Sequence, residues 1–159
     1  MKSTEKTATS LPSQLEEGSA LTLDFAKLQD IGKGVAAVIP VAVQDFDTKE
    51  VLIIAYANQE ALSYSLTHGV AAFWSTSRNE LWVKGATSGD TLELVDVRVN
   101  CEQNSLLYLV RPLGAGACHT KGPDGKARAG CYYRRIEKVA DSANEQSVPS
   151  EFTAHLKFV

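Results

Sequence analysis

"GVAAVIPVAVQDFDTKEVLIIAYANQEALSYSLTHG" runs from Gly34 to Gly69, and its reading decides the fold class. It opens with two runs rich in Val, Ile and Ala, joined at Asp47-Thr48-Lys49-Glu50. Apolar, β-branched runs of this length around a polar turn read as a β-hairpin. Both runs are almost continuously apolar, so the hairpin is expected to be buried on both faces. The period then changes. Asn58 suits a helix N-cap, Gln59 and Glu60 suit the first turn, and Gly69 suits the position just past the end. A helix over about 58–68 puts Ala61, Leu62, Ser65 and Leu66 on one face, expected to lie against the sheet.

Outward from this stretch the chain stays rich in strand signals. "AAFWSTS" and "ELWVKGA" read as strands around Arg78-Asn79, followed by a Ser88-Gly89-Asp90 turn. "TLELVDVRV" and "SLLYLVRPL" flank a polar cluster, and "YYRRI" reads as a last short strand. "LTLDFAKL", upstream of the hairpin, suits either a short helix or a short strand. The first twenty residues are polar without an apolar period and read as a mobile arm. The expected organisation is an N-terminal arm (1–20), one domain (21–136) and a C-terminal tail (137–159), polar until its "HLKFV" end. The expected class is α+β: a compact β-rich domain of mostly antiparallel strands with one main helix.

Composition narrows the function. The chain has 159 residues, 44% hydrophobic and 22% charged, as in an ordinary globular domain. A net charge of −3 carries no basic footprint for nucleic acid. The longest apolar stretch is short and interrupted by Pro40, so no membrane span is expected. No apolar run follows Lys2, so no secretory signal is expected and the cytoplasm is the expected location.

The three cysteines pose the main question. Buried, inert thiols are one reading, since free cysteine packs as a small hydrophobe. Their surroundings offer another. Cys101 sits in "RVNCEQNSLL" among Asn100, Glu102 and Asn104, Cys118 precedes His119 in "GAGACHT", and Cys131 closes a flexible polar stretch. Twelve residues separate Cys118 from Cys131, unlike the tight spacing of a zinc ribbon. Spacing leaves both readings open, and His119 alone suits a general base, a metal neighbour or an ordinary loop residue. "WSTSRNELWVKGATSGD" gathers hydroxyls, two cations and two glycines, which suits a phosphate. A solvated hairpin would have the same composition. Trp74 and Trp82 suit hairpin packing.

Four segments, "EVLIIAYANQEAL", "FWSTSRNELWVKGATSGD", "VNCEQNSLLYLV" and "ACHT" with the later Cys131, together resemble the phosphoribosyl-AMP cyclohydrolase family of histidine biosynthesis. The resemblance runs from about Val41 to Ile136. It implies an intertwined homodimer with the active site between subunits, and a zinc ion held by Cys101, Cys118 and Cys131. It further implies attack of a zinc-activated water on C6 of the N1-ribosylated adenine and opening of the N1–C6 bond. His119 is then the candidate for proton transfer, and Trp74, Ser75, Ser77, Arg78, Lys84 and Ser88 are candidates for binding this phosphorylated nucleotide. The family places Asp-Cys-Asp-x-Asp around the first zinc cysteine, with the aspartates on magnesium. This chain has Asn100, Glu102 and Asn104 there, one negative charge instead of three. Magnesium affinity should fall accordingly, so zinc-dependent activity with little or no need for magnesium is expected. The longer connection from Cys118 to Cys131 has a Pro-Asp-Gly turn at its centre, which would let it loop out while the thiols stay near. No fused pyrophosphohydrolase domain is expected after Ile136. Two other readings stand beside this one: a zinc hydrolase of the same fold acting on another N-substituted purine or pteridine, and a non-catalytic member that keeps zinc for structure.

Overall fold

This computed structural model describes residues 16–20, 31, 33, 37–138 and 154–159, and the complete elements among these described residues are eight strands and one ten-residue helix. The segment expected at 21–28, most of the N-terminal arm and the middle of the C-terminal tail lie outside the described residues. The chain divides into two compact units, Phe25–Tyr132 and Met1–Asp24 with Tyr133–Val159.

The larger unit is built on the expected hairpin. Strands β1 (Ile39–Asp45) and β2 (Val51–Ala57) pair antiparallel. The turn closes because Asp45 Oδ1 accepts the backbone N–H groups of Asp47 at 2.8 Å and Thr48 at 2.9 Å. Helix α1 (Gln59–His68) follows at once. The Asn58 side chain accepts the Ala61 N–H at 2.9 Å, and Gly69, at φ +66°, donates its N–H to the Ser65 carbonyl. A second hairpin, β3 (Ala72–Ser75) with β4 (Glu80–Val83), leads to β5 (Leu92–Val99) and β6 (Leu106–Pro112). Strand β6 inserts beside β1 in parallel, giving a four-stranded sheet in the order β2-β1-β6-β5 with one parallel pairing. The domain is therefore α+β, β-rich and mostly antiparallel.

The core lies on one face of this sheet. Val41, Val43, Tyr108 and Val110 from its two central strands pack with Leu52, Phe73, Leu92 and Ala61, all buried. Ser65 is buried too, and its hydroxyl both donates to the Ala72 carbonyl and accepts the Ala72 N–H, pinning α1 to β3. Two expectations need correction. The first hairpin is not buried on both faces: Val51 and Ile54 are each 48% exposed. Ile54, Ala42 and Leu107 stand in register across β2, β1 and β6, an apolar row on the face away from the core. An unbroken apolar run cannot reveal this, because it lacks the alternation that tells the two faces apart. On α1, Ala61 and Ser65 face inward, but Leu66 is 61% exposed because it sits at the edge of the packed face.

The smaller unit pairs β7 (Arg134–Lys138) with β8 (Ala154–Phe158), so the "HLKFV" end of the tail is a strand. Tyr133 stacks on Phe158, its hydroxyl donates to the Glu16 carbonyl at 2.9 Å, and Leu156 N–H bonds the Ser19 carbonyl. Among the described residues no helix is long and apolar enough to cross a membrane.

Candidate active site

The connection between Cys118 and Cys131 folds back on itself. Cys118 N–H bonds the Arg128 carbonyl, Arg128 N–H bonds the Thr120 carbonyl, and Gly122 N–H bonds the Lys126 carbonyl, with Gly125 at φ +75° in the turn. The two arms run so close at Gly116 that a Cβ there would stand 2.2 Å from the Arg128 carbonyl oxygen. At the far end Cys131 N–H donates to the Leu52 carbonyl at 2.7 Å, which ties the loop to β2. The long connection is thus a small hairpin that returns Cys131 to Cys118.

The two thiols then meet. Burial, joined by the neighbouring Cys118 sulfur, pushes the Cys131 thiol up to about 12, while Lys84 opposes the rise. Cys118, 2% exposed, lies 3.0 Å from the Thr120 hydroxyl, and the Thr120 N–H points at the same sulfur at 3.5 Å. Arg128 holds that hydroxyl in turn at 3.2 Å. Lys84 is 5% exposed and donates to the Asp90 carbonyl at 3.0 Å. Burial pulls its pKa below the ordinary lysine value, and Asp90, Cys131 and Cys118 oppose the fall. A buried ammonium beside the Cys131 sulfur favours the thiolate form of that residue.

A cavity of about 510 Å³ opens over this pair. That volume suits a small-molecule ligand. Cys118, Cys131, His119 and Lys84 line it, with Arg78, Ser88 and Thr87 from the second hairpin and its flank. Arg78 reaches Glu80 at 2.9 Å, both side chains in solvent. The cavity therefore carries thiols at its base and cations and hydroxyls about its walls.

Of the candidates read from the sequence, Arg78, Lys84, Ser88, Cys118, His119 and Cys131 come together here. Trp74, Ser75 and Ser77 do not line the cavity. Ser75 and Ser77 hydroxyls lie 3.4 Å apart, Ser75 accepts the Arg78 N–H, and Trp74 donates to Asn79. These groups shape the turn that presents Arg78. Cys101 also lies elsewhere, exposed in the turn between β5 and β6 with Asn100, Glu102 and Asn104. Among the described residues no three His, Cys, Asp or Glu side chains of one chain converge as a metal site. Thr87, one of the hydroxyls of the phosphate-like stretch, lines the cavity as well, and so do Lys121 and Asp90, which the sequence did not single out. For Lys121 the only signal was its place two residues beyond His119.

Comparison with known proteins matches this part of the chain. The profile of the phosphoribosyl-AMP cyclohydrolase family covers residues 53–133. A phosphoribosyl-AMP cyclohydrolase of Archaeoglobus fulgidus is 48% identical over 100 residues, 63% of this chain and 86% of that protein. One from Halobacterium salinarum is 43% identical over 126 residues, 78% of this chain and 88% of that protein. A histidine biosynthesis bifunctional protein of Aquifex aeolicus is 37% identical over 122 residues, 77% of this chain and 55% of that protein. The matched span begins within β2, runs through β6 and holds all three cysteines, His119 and the whole cavity lining, and the chain belongs to the phosphoribosyl-AMP cyclohydrolase family of hydrolases.

Proposed function

We propose that this chain hydrolyses the N1–C6 bond of phosphoribosyl-AMP in histidine biosynthesis, as a cytoplasmic homodimer with a zinc ion at each site. The observation that carries the reading is the Cys118–Cys131 thiol pair beneath a cation-walled cavity, in a chain 48% identical to a named cyclohydrolase.

The donor set fits zinc. Two adjoining sulfurs beside a buried ammonium, at the wall of an open cavity, match a centre that takes thiolates and keeps one position for water. One chain supplies two such thiols at the cavity; the family resemblance makes Cys101 the third ligand, and because it lies outside this cavity we assign that place to the partner subunit's Cys101. The apolar row of Ile54, Ala42 and Leu107 offers a surface for that partner. When bound, zinc supplies an ionised water near neutral pH. His119, beside Cys118 at the cavity wall, takes the proton from the water that attacks C6 and returns it to N1 as the ring opens. C6 keeps its exocyclic nitrogen and becomes a carboxamide carbon, and N1 leaves with its ribosyl group. Arg78 and Ser88 hold a phosphate, with Lys121 a further cation in reach of the second. Lys84, bonded to the Asp90 carbonyl, is placed to balance the thiolate charge more than to meet a phosphate at the rim.

Arg78→Ala should raise KM roughly 10- to 100-fold, the effect of losing one charged hydrogen-bond partner. Zinc content should stay unchanged. An unaltered KM would return this arginine to the solvated surface. The reading as a whole is tested by product analysis with phosphoribosyl-AMP. Formation of the opened formimino-carboxamide ribotide supports it. Turnover of another N-substituted purine or a pteridine, but not of this nucleotide, would move the chain to a different hydrolase of the same fold.

A further inference from the structure

The turn that carries Cys101 is closed by its own side chains. Asn100 Oδ1 accepts the backbone N–H groups of Asn104 and Ser105, each at 2.9 Å. Asn100 Nδ2 donates to Asn104 Oδ1 at 2.7 Å, and Asn104 Nδ2 donates to Glu102 Oε2 at 3.1 Å. The backbone adds Asn100 N–H to the Ser105 carbonyl and Gln103 N–H to the Asn100 carbonyl, with Gln103 at φ +54°. Only one carboxylate oxygen of Glu102 stands outside this side-chain network.

Such a turn does not fit a hard cation. A magnesium ligand must offer an oxygen lone pair, and carboxylates hold the ion best. An amide oxygen has two lone pairs, and both on Asn100 already face N–H donors. Asn104 Oδ1 faces the Asn100 amide, so a cation there would have to displace it. Carboxylates at 100 and 104 could not bond each other without a proton or a cation between them. Two amides can, because each carries a donor beside its acceptor.

We propose that Asn100, Glu102 and Asn104 form an amide clasp that takes the place of a divalent cation, holding the Cys101 turn directly and leaving the enzyme independent of magnesium. The clasp keeps the turn shaped so that its thiol is presented. This rests on the zinc cyclohydrolase reading for its effect on turnover, but not for its effect on metal binding.

The test has two arms on the full zinc-loaded chain. In the first, manganese binding is followed by electron paramagnetic resonance as a probe for magnesium. The native chain should show no site tighter than about 1 mM, and Asn100→Asp/Glu102→Asp/Asn104→Asp should bind at least about a hundredfold more tightly, since affinity follows carboxylate count. Asn100→Asp alone, a milder change, should move the same way. In the second, turnover in magnesium-free buffer should stay within about twofold of its value with magnesium for the native chain, and fall at least about tenfold for the triple variant. Micromolar manganese binding by the native chain, lost in Asn100→Ala, would overturn the clasp. So would a tenfold loss of native turnover on removing magnesium while zinc stays bound. If no variant turns over phosphoribosyl-AMP under any condition, the functional reading fails, and the binding arm still decides on the clasp.

Discussion

Cys118→Ser and Cys131→Ser should each lower turnover of phosphoribosyl-AMP by about a thousandfold or more, because each removes a thiolate from the centre that prepares the attacking water. Zinc content should fall in parallel, since a serine hydroxyl stays protonated near neutral pH and is a poor ligand. The two sites differ in what else they lose. Cys118 is buried and held by Thr120, so its serine variant also disturbs the Thr120–Arg128 contacts. Cys131 is half-buried with its backbone bonded to Leu52, and its variant should leave the loop in place. Chemical denaturation of the zinc-free chains separates the two effects. Cys131→Ser with the native midpoint, no zinc and no turnover is the expected result. Native-like turnover in either variant would remove the thiol pair from the chemistry.

Mixing inactive Cys101→Ser and Cys118→Ser chains should restore about a quarter of native activity. In a two-fold dimer, random exchange makes half the molecules heterodimers, and each has one intact site of two. The intact site combines Cys118 and Cys131 of one chain with Cys101 of the other. A site built within a single chain would show no recovery, because each chain would carry its own defect. Absence of recovery in verified heterodimers would therefore count against the shared centre. The geometry favours recovery, as Cys101 lies outside the cavity that holds the other two thiols.

What was legible in the sequence was local. Helix α1 could be placed because Asn58 and Gly69 signal its ends through their own side chain and backbone. The first hairpin could be placed because the polar turn at Asp47 interrupts two apolar runs. What was hidden depended on distant contacts. The exposure of Ile54 and Leu66 follows from where the core stops, and a run without alternation carries no trace of that limit. Pairing of β8 with β7 joins segments separated by the middle of the tail. Ser75 and Ser77 look like anion ligands by type, yet their hydroxyls serve the turn before Arg78. Lys84 reads in the sequence as a candidate for binding the nucleotide, and only the fold shows it buried beside the Asp90 carbonyl and two sulfurs. The departures at Asn100, Glu102 and Asn104 were readable as a loss of charge. The hydrogen bonds that replace it were not.

The central claim is a zinc ion held by three thiolates drawn from two chains, and X-ray absorption at the zinc edge tests it most directly. The native dimer should show three sulfur scatterers at about 2.3 Å and one lighter atom near 2.0 Å. Cys101→Ser, if it retains any zinc, should show two. A native centre with no more than one sulfur, or one whose sulfur count is unchanged in Cys101→Ser, would contradict the account.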